Sequence, residues 1–367
     1  MSTINVLVVD DSAFMRKMLT EIIQRDPAMI VVGAARDGAD ALAKAEKLKP
    51  DVVTLDVEMP VMDGYATLVE LMKRRPVPVV MVSSLTQSGA EITMRCLSAG
   101  AVDFVGKPSG PISLDIERVA GELIAKVKIA AVSRVKVPAI ASPVASAPHV
   151  EAPHHLEARP GGDRPVRSIR TMPTTSKIVV IGASTGGPRA LHTLVAGLGP
   201  TFDSPGIIVQ HMPAGFTQSL AKRLDSAGAV HVREAADGDS LQPSTLLVAP
   251  GGYHLTLRPD GTVQLTQEPP IHGVRPAIDV TLDSVARTFG NRVVAVLLTG
   301  MGKDGARGMK LLRDMGAHTL AEDESTCVVY GMPKAAYEMN AVEAMLPLGE
   351  LASAILAATA HSMNTAA

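Results

Sequence analysis

The sequence predicts two α/β domains. Residues 1–125 read as an N-terminal (βα)5 unit with a parallel sheet, and residues 176–367 as a larger, doubly wound, mostly parallel α/β unit. Three observations carry this. A chain of 367 residues is too long for one ordinary core. In both halves short apolar runs alternate with longer amphipathic stretches, the pattern of βα units whose sheet is covered on both faces. Between them, residues 126–175 are rich in Pro, Ala and polar residues, as in AIASPVASAPHVEAPHHLEARPGG, and read as an extended linker without a core of its own.

In the first half, NVLVVDD, MIVVGAA, DVVTLDV, PVVMVSS and AVDFVGK are five strands bounded by acids, Gly or Pro. Segments such as SAFMRKMLTEIIQRD carry helical spacing between them. In the second half, KIVVIGAS, GIIVQHM, TLLVAPG, RVVAVLLTG and HTLAEDE are strands. YHLTLRP and TVQLTQE flank the turn signal PDG and read as a hairpin. ALHTLVAGL, GFTQSLAKRLDSAG, AIDVTLDSVARTFG and GARGMKLLRDMG are helices. No internal repeat links the halves.

Composition narrows the function. Aromatics are 2% with no Trp, which argues against a base-stacking platform, and a net charge of −2 gives no sign of a nucleic-acid binder. Cys96 and Cys327 stand far apart outside any C-x-x-C pair and read as reduced core thiols. His149 and the pair His154–His155 fall in the linker without further ligands at metal-site spacing. The N-terminus meets two acids where a signal peptide needs apolar length, and no apolar run reaches the ~18 residues of a membrane span. The expectation is a cytoplasmic protein without membrane insertion, and nothing in the sequence demands more than a monomer.

Polar residues gather at the strand ends of the first domain. Asp10 and Asp11 end the first strand, Asp56 the third, Ser83 and Ser84 the fourth, and Lys107 the fifth. Open parallel sheets bind ligands outside the carboxyl ends of their strands. Acids so placed repel one another unless a cation joins them, and a hard, oxygen-liking ion such as Mg²⁺ fits. Asp56, beside such an ion and a lysine, is suited to accept a phosphoryl group.

In the second domain, Gly182-Ala183-Ser184-Thr185-Gly186 has the spacing G-x-S-x-G between a strand and a helix. Small neighbours expose a nucleophilic serine on a tight turn. The same stretch also suits a dinucleotide phosphate or a plain structural turn. A nucleophilic serine needs a base. His211 ends the strand GIIVQ on the same edge, with His254 and His272 as second choices in hairpin or loop surroundings. Asp304, in the glycine-rich loop after RVVAVLL, is the candidate to orient the imidazole, while Asp279 and Asp283 read as helix N-terminal or surface acids. The order Ser, His, Asp differs from the Ser, Asp, His order of α/β-hydrolases.

VVDDSAFMR, TLDVEMPVMDG, MVSS and FVGKP resemble the receiver domain of bacterial two-component response regulators. The resemblance implies that Asp56 is the phosphoacceptor. It makes Asp11 and Asp56 side-chain Mg²⁺ ligands, with Asp10 acting through water and Glu58 supplying a backbone carbonyl. Ser83 would be the switch hydroxyl and Lys107 the phosphate contact. IGASTGGP, VQHMPAGFT, VAPGGYH, LLTGMGKDGA and CVVYGMPKAA resemble the catalytic domain of the CheB family of chemotaxis methylesterases. That resemblance implies Ser184, His211 and Asp304 as the catalytic residues, the backbone N–H of Met301 as an oxyanion donor, and Thr185 as a residue that helps position the site. It further implies hydrolysis of glutamyl methyl esters, and deamidation of glutamines, on chemoreceptors, with a chemotaxis histidine kinase as phosphodonor and no organic cofactor for the esterase. Read from the residues alone, a nucleotide-binding output domain and a non-enzymatic adaptor are the alternatives.

Overall fold

The computed structural model describes residues 3–107, 113–133 and 177–360. Residues 134–175 of the expected linker, with His149, His154 and His155, lie outside the described residues, as does His361.

The N-terminal unit alternates strand and helix throughout: β1 Ile4–Val9, α1 Ala13–Ile23, β2 Met29–Ala35, α2 Gly38–Leu48, β3 Val52–Asp56, α3 Gly64–Arg74, β4 Val79–Ser83, α4 Gln87–Ala99, β5 Asp103–Gly106 and α5 Ser113–Val132. The strands pair in the order β2-β1-β3-β4-β5, all in parallel. Ser12, Asp37, Asp63 and Thr86 start the first four helices by accepting an N–H three residues on, as short polar side chains do at a helix N-cap. Helix α5 continues to Val132, past the expected boundary at residue 125. Val119, Leu123, Val127 and Ala130 recur at helical spacing there and bury against the sheet.

The second unit runs β6 Ile178–Ala183, α6 Gly187–Leu198, β7 Gly206–Gln210, α7 Phe216–Asp225, β8 His231–Glu234, β9 Thr245–Val248, β10 His254–Leu257, β11 Val263–Thr266, α8 Ile278–Phe289, β12 Val293–Leu297, α9 Ala306–Asp314, β13 His318–Glu322, α10 Met332–Glu338, β14 Ala344–Leu346 and α11 Leu348–Thr359. Its main sheet has the order β14-β13-β12-β6-β7-β9-β8 and is parallel throughout, and β10 and β11 form an antiparallel hairpin. From β6 the chain winds outward through β7, then returns to β12 on the other side of β6. The strand order reverses between β6 and β12, and the crevice beyond such a reversal is where open α/β sheets hold their ligands.

The two units share one apolar core. A continuous buried cluster runs from Leu55, Met94 and Phe104 to Leu191, Phe216 and Leu220. Helix α4 packs on α6 and α7. Phe104 stacks on Phe216 with ring centroids 4.5 Å apart and planes at 24°. Such a pair contributes about 0.5–1.5 kcal/mol beyond the area it buries. Beside it, Thr185 Oγ1 donates to Asp103 Oδ2 at 2.5 Å, a buried hydrogen bond from one unit to the other.

Candidate active site

The sheet register builds the site. Ala183 pairs with Gln210, so Ser184 and His211 each follow the end of one of two adjacent strands. Leu297 pairs with Gly182, which brings the loop after β12 to the other side of Ser184. Ser184 N donates to Thr299 O at 3.0 Å and His211 N to Ala183 O at 3.1 Å, which fixes both backbones. Gly186 starts α6 at φ 79°, a left-handed turn that glycine makes without strain, and the chain bends sharply just past the serine.

His211 Nε2 lies 2.7 Å from Asp304 Oδ2, and both side chains are largely buried. Asp304 has four partners. Oδ2 also accepts from Ile278 N at 2.7 Å, and Oδ1 accepts from Asp279 N and Gly305 N, both at 3.0 Å. Helix α8 has no N-cap side chain of its own, so Asp304 caps it from a distant loop and gains the positive end of its dipole. Burial opposes the charge of Asp304, but the bond to His211 and these N–H groups outweigh it and hold the carboxyl below its usual range. An ionised acceptor at Nε2 selects the Nε2–H tautomer and leaves the Nδ1 lone pair free. Among the described residues no hydrogen bond joins Ser184 Oγ to His211.

The loop after β12 is held by its neighbours. Thr299 Oγ1 donates to Thr185 O at 3.0 Å and accepts from Val329 N at 2.9 Å. Gly300 O accepts from Gly331 N and Met332 N, at 3.1 and 2.8 Å. The peptide plane then aims Met301 N–H away from the start of α10, and it has no acceptor among the described residues. A Cβ on Gly300 would lie 2.7 Å from Ser184 Cβ and 2.6 Å from Met332 Cε. Gly300→Ala should therefore cost about 1–3 kcal/mol of stability by overpacking and lower kcat by displacing Ser184. Thermal unfolding and steady-state rates on the same sample check this; an unchanged kcat would mean that Ser184 has room to spare.

The remaining predicted residues fall in two places. Thr185 is buried: its hydroxyl donates to Asp103, and its carbonyl accepts from Thr299 Oγ1 and so helps hold the loop after β12. His254 is buried on β10, where Nδ1 accepts from Ala277 N at 3.2 Å, again at the start of α8. Asp279 stands in the first turn of α8 as expected but is buried rather than at the surface, and accepts from Gly308 N at 2.8 Å.

In the N-terminal unit, carboxylate oxygens of Asp10, Asp11 and Asp56 lie within 4.8 Å of one another. Lys107 Nζ stands 2.8 Å from Asp56 Oδ2 and 3.5 Å from Asp10 Oδ2. Burial, against the bond from Lys107 and with added repulsion from Asp10, pushes the Asp56 carboxyl up to about 6. Three carboxylates against one ammonium leave an excess of negative charge on hard oxygens, which fits Mg²⁺. Ser83 is fully buried; its Oγ donates toward Gly89 O at 3.3 Å and accepts from Thr93 Oγ1 at 2.8 Å. Ser84 Oγ donates instead to Glu58 Oε2 at 2.9 Å. Gln210, Thr299 and the pair Phe104–Phe216 were not singled out by sequence. For Gln210 a signal existed: it is a polar residue closing an apolar strand.

The chain matches the CheB methylesterase family over residues 179–355 and the response regulator receiver domain over residues 6–117. It is 53% identical over 352 residues to a protein-glutamate methylesterase/protein-glutamine glutaminase of Symbiobacterium thermophilum, covering 96% of each chain. The chain belongs to this family. A Geobacillus kaustophilus member is 48% identical over 97% of this chain and 99% of its own. The solved catalytic domain of Thermotoga maritima CheB methylesterase is 44% identical, with a TM-score of 0.48, and covers 50% of this chain and 98% of that one. By the two family matches, the N-terminal unit is a receiver and the C-terminal unit a CheB-type catalytic domain.

Proposed function

We propose that this protein is a phosphorylation-activated protein-glutamate methylesterase and protein-glutamine glutaminase acting on chemoreceptors through Ser184, His211 and Asp304. One observation carries the site: strand register sets Ser184 and His211 side by side while a buried carboxylate with four donors grips the imidazole. Ser184 Oγ attacks the γ-ester carbonyl carbon as His211 Nδ1 takes its proton. The oxyanion is met by Met301 N–H, which has no other acceptor among the described residues. The intermediate collapses, His211 returns the proton to the departing methoxide, and methanol leaves. Water, deprotonated by His211, then cleaves the acyl-enzyme to glutamate. With a glutamine substrate ammonia leaves instead.

The receiver supplies the control. Asp56 accepts the phosphoryl group from a chemotaxis histidine kinase. Asp10, Asp11, Asp56 and the carbonyl of Glu58 would hold Mg²⁺, whose charge offsets that of the transferring group. Lys107 contacts the phosphoryl oxygens, and the Ser83 hydroxyl, now facing α4, turns to them. Unphosphorylated, the receiver sits against Thr185 and Phe216, next to the nucleophile, and bars a receptor helix bundle from it. Tenfold activation needs about 1.4 kcal/mol of bias between closed and open states. No described helix is long and apolar enough to cross a membrane, and a cytoplasmic monomer meeting the cytoplasmic helices of receptors fits this reading.

The test is methanol release from methylated receptor cytoplasmic fragments, with and without a small phosphodonor and Mg²⁺. Release should rise with the donor in the native chain. In Asp56→Asn the basal rate should persist and the rise should vanish. An equal rise in that variant would remove Asp56 from the control.

A further inference from the structure

Gln210 closes β7 with its side chain 2% exposed and has no part in the chemistry described above. Its Nε2 donates twice, to Ser184 O at 2.9 Å and to His211 O at 3.1 Å. Both neighbours are carbonyls, so only the NH₂ end of the carboxamide can face them. The other end is left bare: Oε1 is buried and accepts no hydrogen bond among the described residues. It presses on Gly187, where a Cβ would lie 2.0 Å from it. Stranding a buried acceptor is unfavourable, and an apolar side chain of the same length would avoid it. The two donations are what the glutamine gains in return. They tie the peptide unit after the serine to the peptide unit after the histidine.

The remaining anchors of the two residues lie elsewhere. Ser184 is held through Thr299 and Gly187, and His211 through Ala183 and Asp304. Strand pairing fixes the backbone up to Ala183 and Gln210 but not beyond. The carboxamide bridges the two chains just past that point. We propose that Gln210 is a positioning residue that sets the approach of Ser184 Oγ to His211 Nδ1. This rests on the triad reading above. A misplacement of about 1 Å at a reacting pair can cost on the order of 100-fold in rate.

The test uses the full chain, activated by phosphodonor and Mg²⁺, as the native protein, Q210M and Q210E. Methionine keeps the length without donors; glutamate keeps the shape and turns an oxygen toward the carbonyls. Three quantities are read: kcat and KM for methanol release, the rate of Ser184 labelling by a fluorophosphonate, and thermal unfolding. For Q210M we expect kcat and labelling to fall together by about 10- to 100-fold, with KM within twofold and an unfolding midpoint unchanged or raised. A merely structural role would lower the midpoint and spare the labelling rate of the folded fraction. Native kcat and labelling in Q210M overturn the inference. Should Q210M not fold, Q210E carries the same expectation and the same overturning result. Absence of Ser184 labelling in the native chain would sink the triad reading and this inference with it; labelling of native and variant chains at one rate sinks only the inference.

Discussion

Asp304→Asn is expected to lower kcat about 10⁴-fold, and Ser184→Ala to bring methanol release down to background. The reason for the first lies in the donor count. Asp304 accepts from His211, Ile278, Asp279 and Gly305. An asparagine offers one oxygen and one NH₂ group, so two of the four donors would face another donor. If the NH₂ takes the place of Oδ2, it faces both His211 and Ile278 N and favours the tautomer with its proton on Nδ1. That nitrogen then cannot accept from the serine. If the amide flips, His211 and Ile278 N keep their acceptor, but Asp279 N and Gly305 N face the NH₂, at about 1–3 kcal/mol for each stranded N–H. Steady-state rates with thermal unfolding separate these outcomes. A kcat within tenfold of native would remove Asp304 from the triad. The carboxylate also has a pH signature. Its native pKa lies below the ordinary 3.8, so the stability it contributes is present above that value and is lost as pH falls through the lowered one. The asparagine variant should lack this acid-side loss, leaving its unfolding curve flatter across that window.

Much of this arrangement was legible because the candidate residues sit at strand ends, and strand ends are written in apolar runs. KIVVIGA, GIIVQ and RVVAVLL stop where Ser184, His211 and the Asp304 loop begin. Parallel pairing then places all three at one edge whatever the intervening segments do. The acids and lysine of the receiver were legible for the same reason. Less visible was whatever depends on contacts distant in sequence. β8 and β14 are short edge strands, and a run as brief as Ala344–Leu346 shows no period. Asp279 looked like a first-turn acid, and burial by α9 is not encoded in its neighbours. The family resemblance makes Thr185 a positioning residue, yet its hydroxyl belongs to an interface whose other half lies 82 residues away.

That interface gives the other large expected effect. Thr185→Val should raise the unphosphorylated rate on receptor fragments about 10- to 30-fold while leaving the donor-stimulated kcat near native. Valine matches threonine in shape, and the Thr185 carbonyl that supports Thr299 is untouched. What is lost is the hydroxyl that donates to Asp103. In the closed state Asp103 keeps Lys126, 3.2 Å from its other oxygen, but Oδ2 would face a methyl group away from water. In the open state water hydrates it. Hydrogen bonds to charged groups contribute about 1.5–3 kcal/mol, and the 10- to 30-fold shift corresponds to about 1.4–2 kcal/mol, the low end of that range. T185S keeps the hydroxyl and should stay tightly controlled. The ratio of stimulated to basal rate is the quantity to follow, since damage to the catalytic turn would depress both rates and leave the ratio high. A T185V ratio equal to native would mean that the stack of Phe104 on Phe216, rather than this hydrogen bond, sets the closed state. Phe216→Ala would then be the variant that opens it.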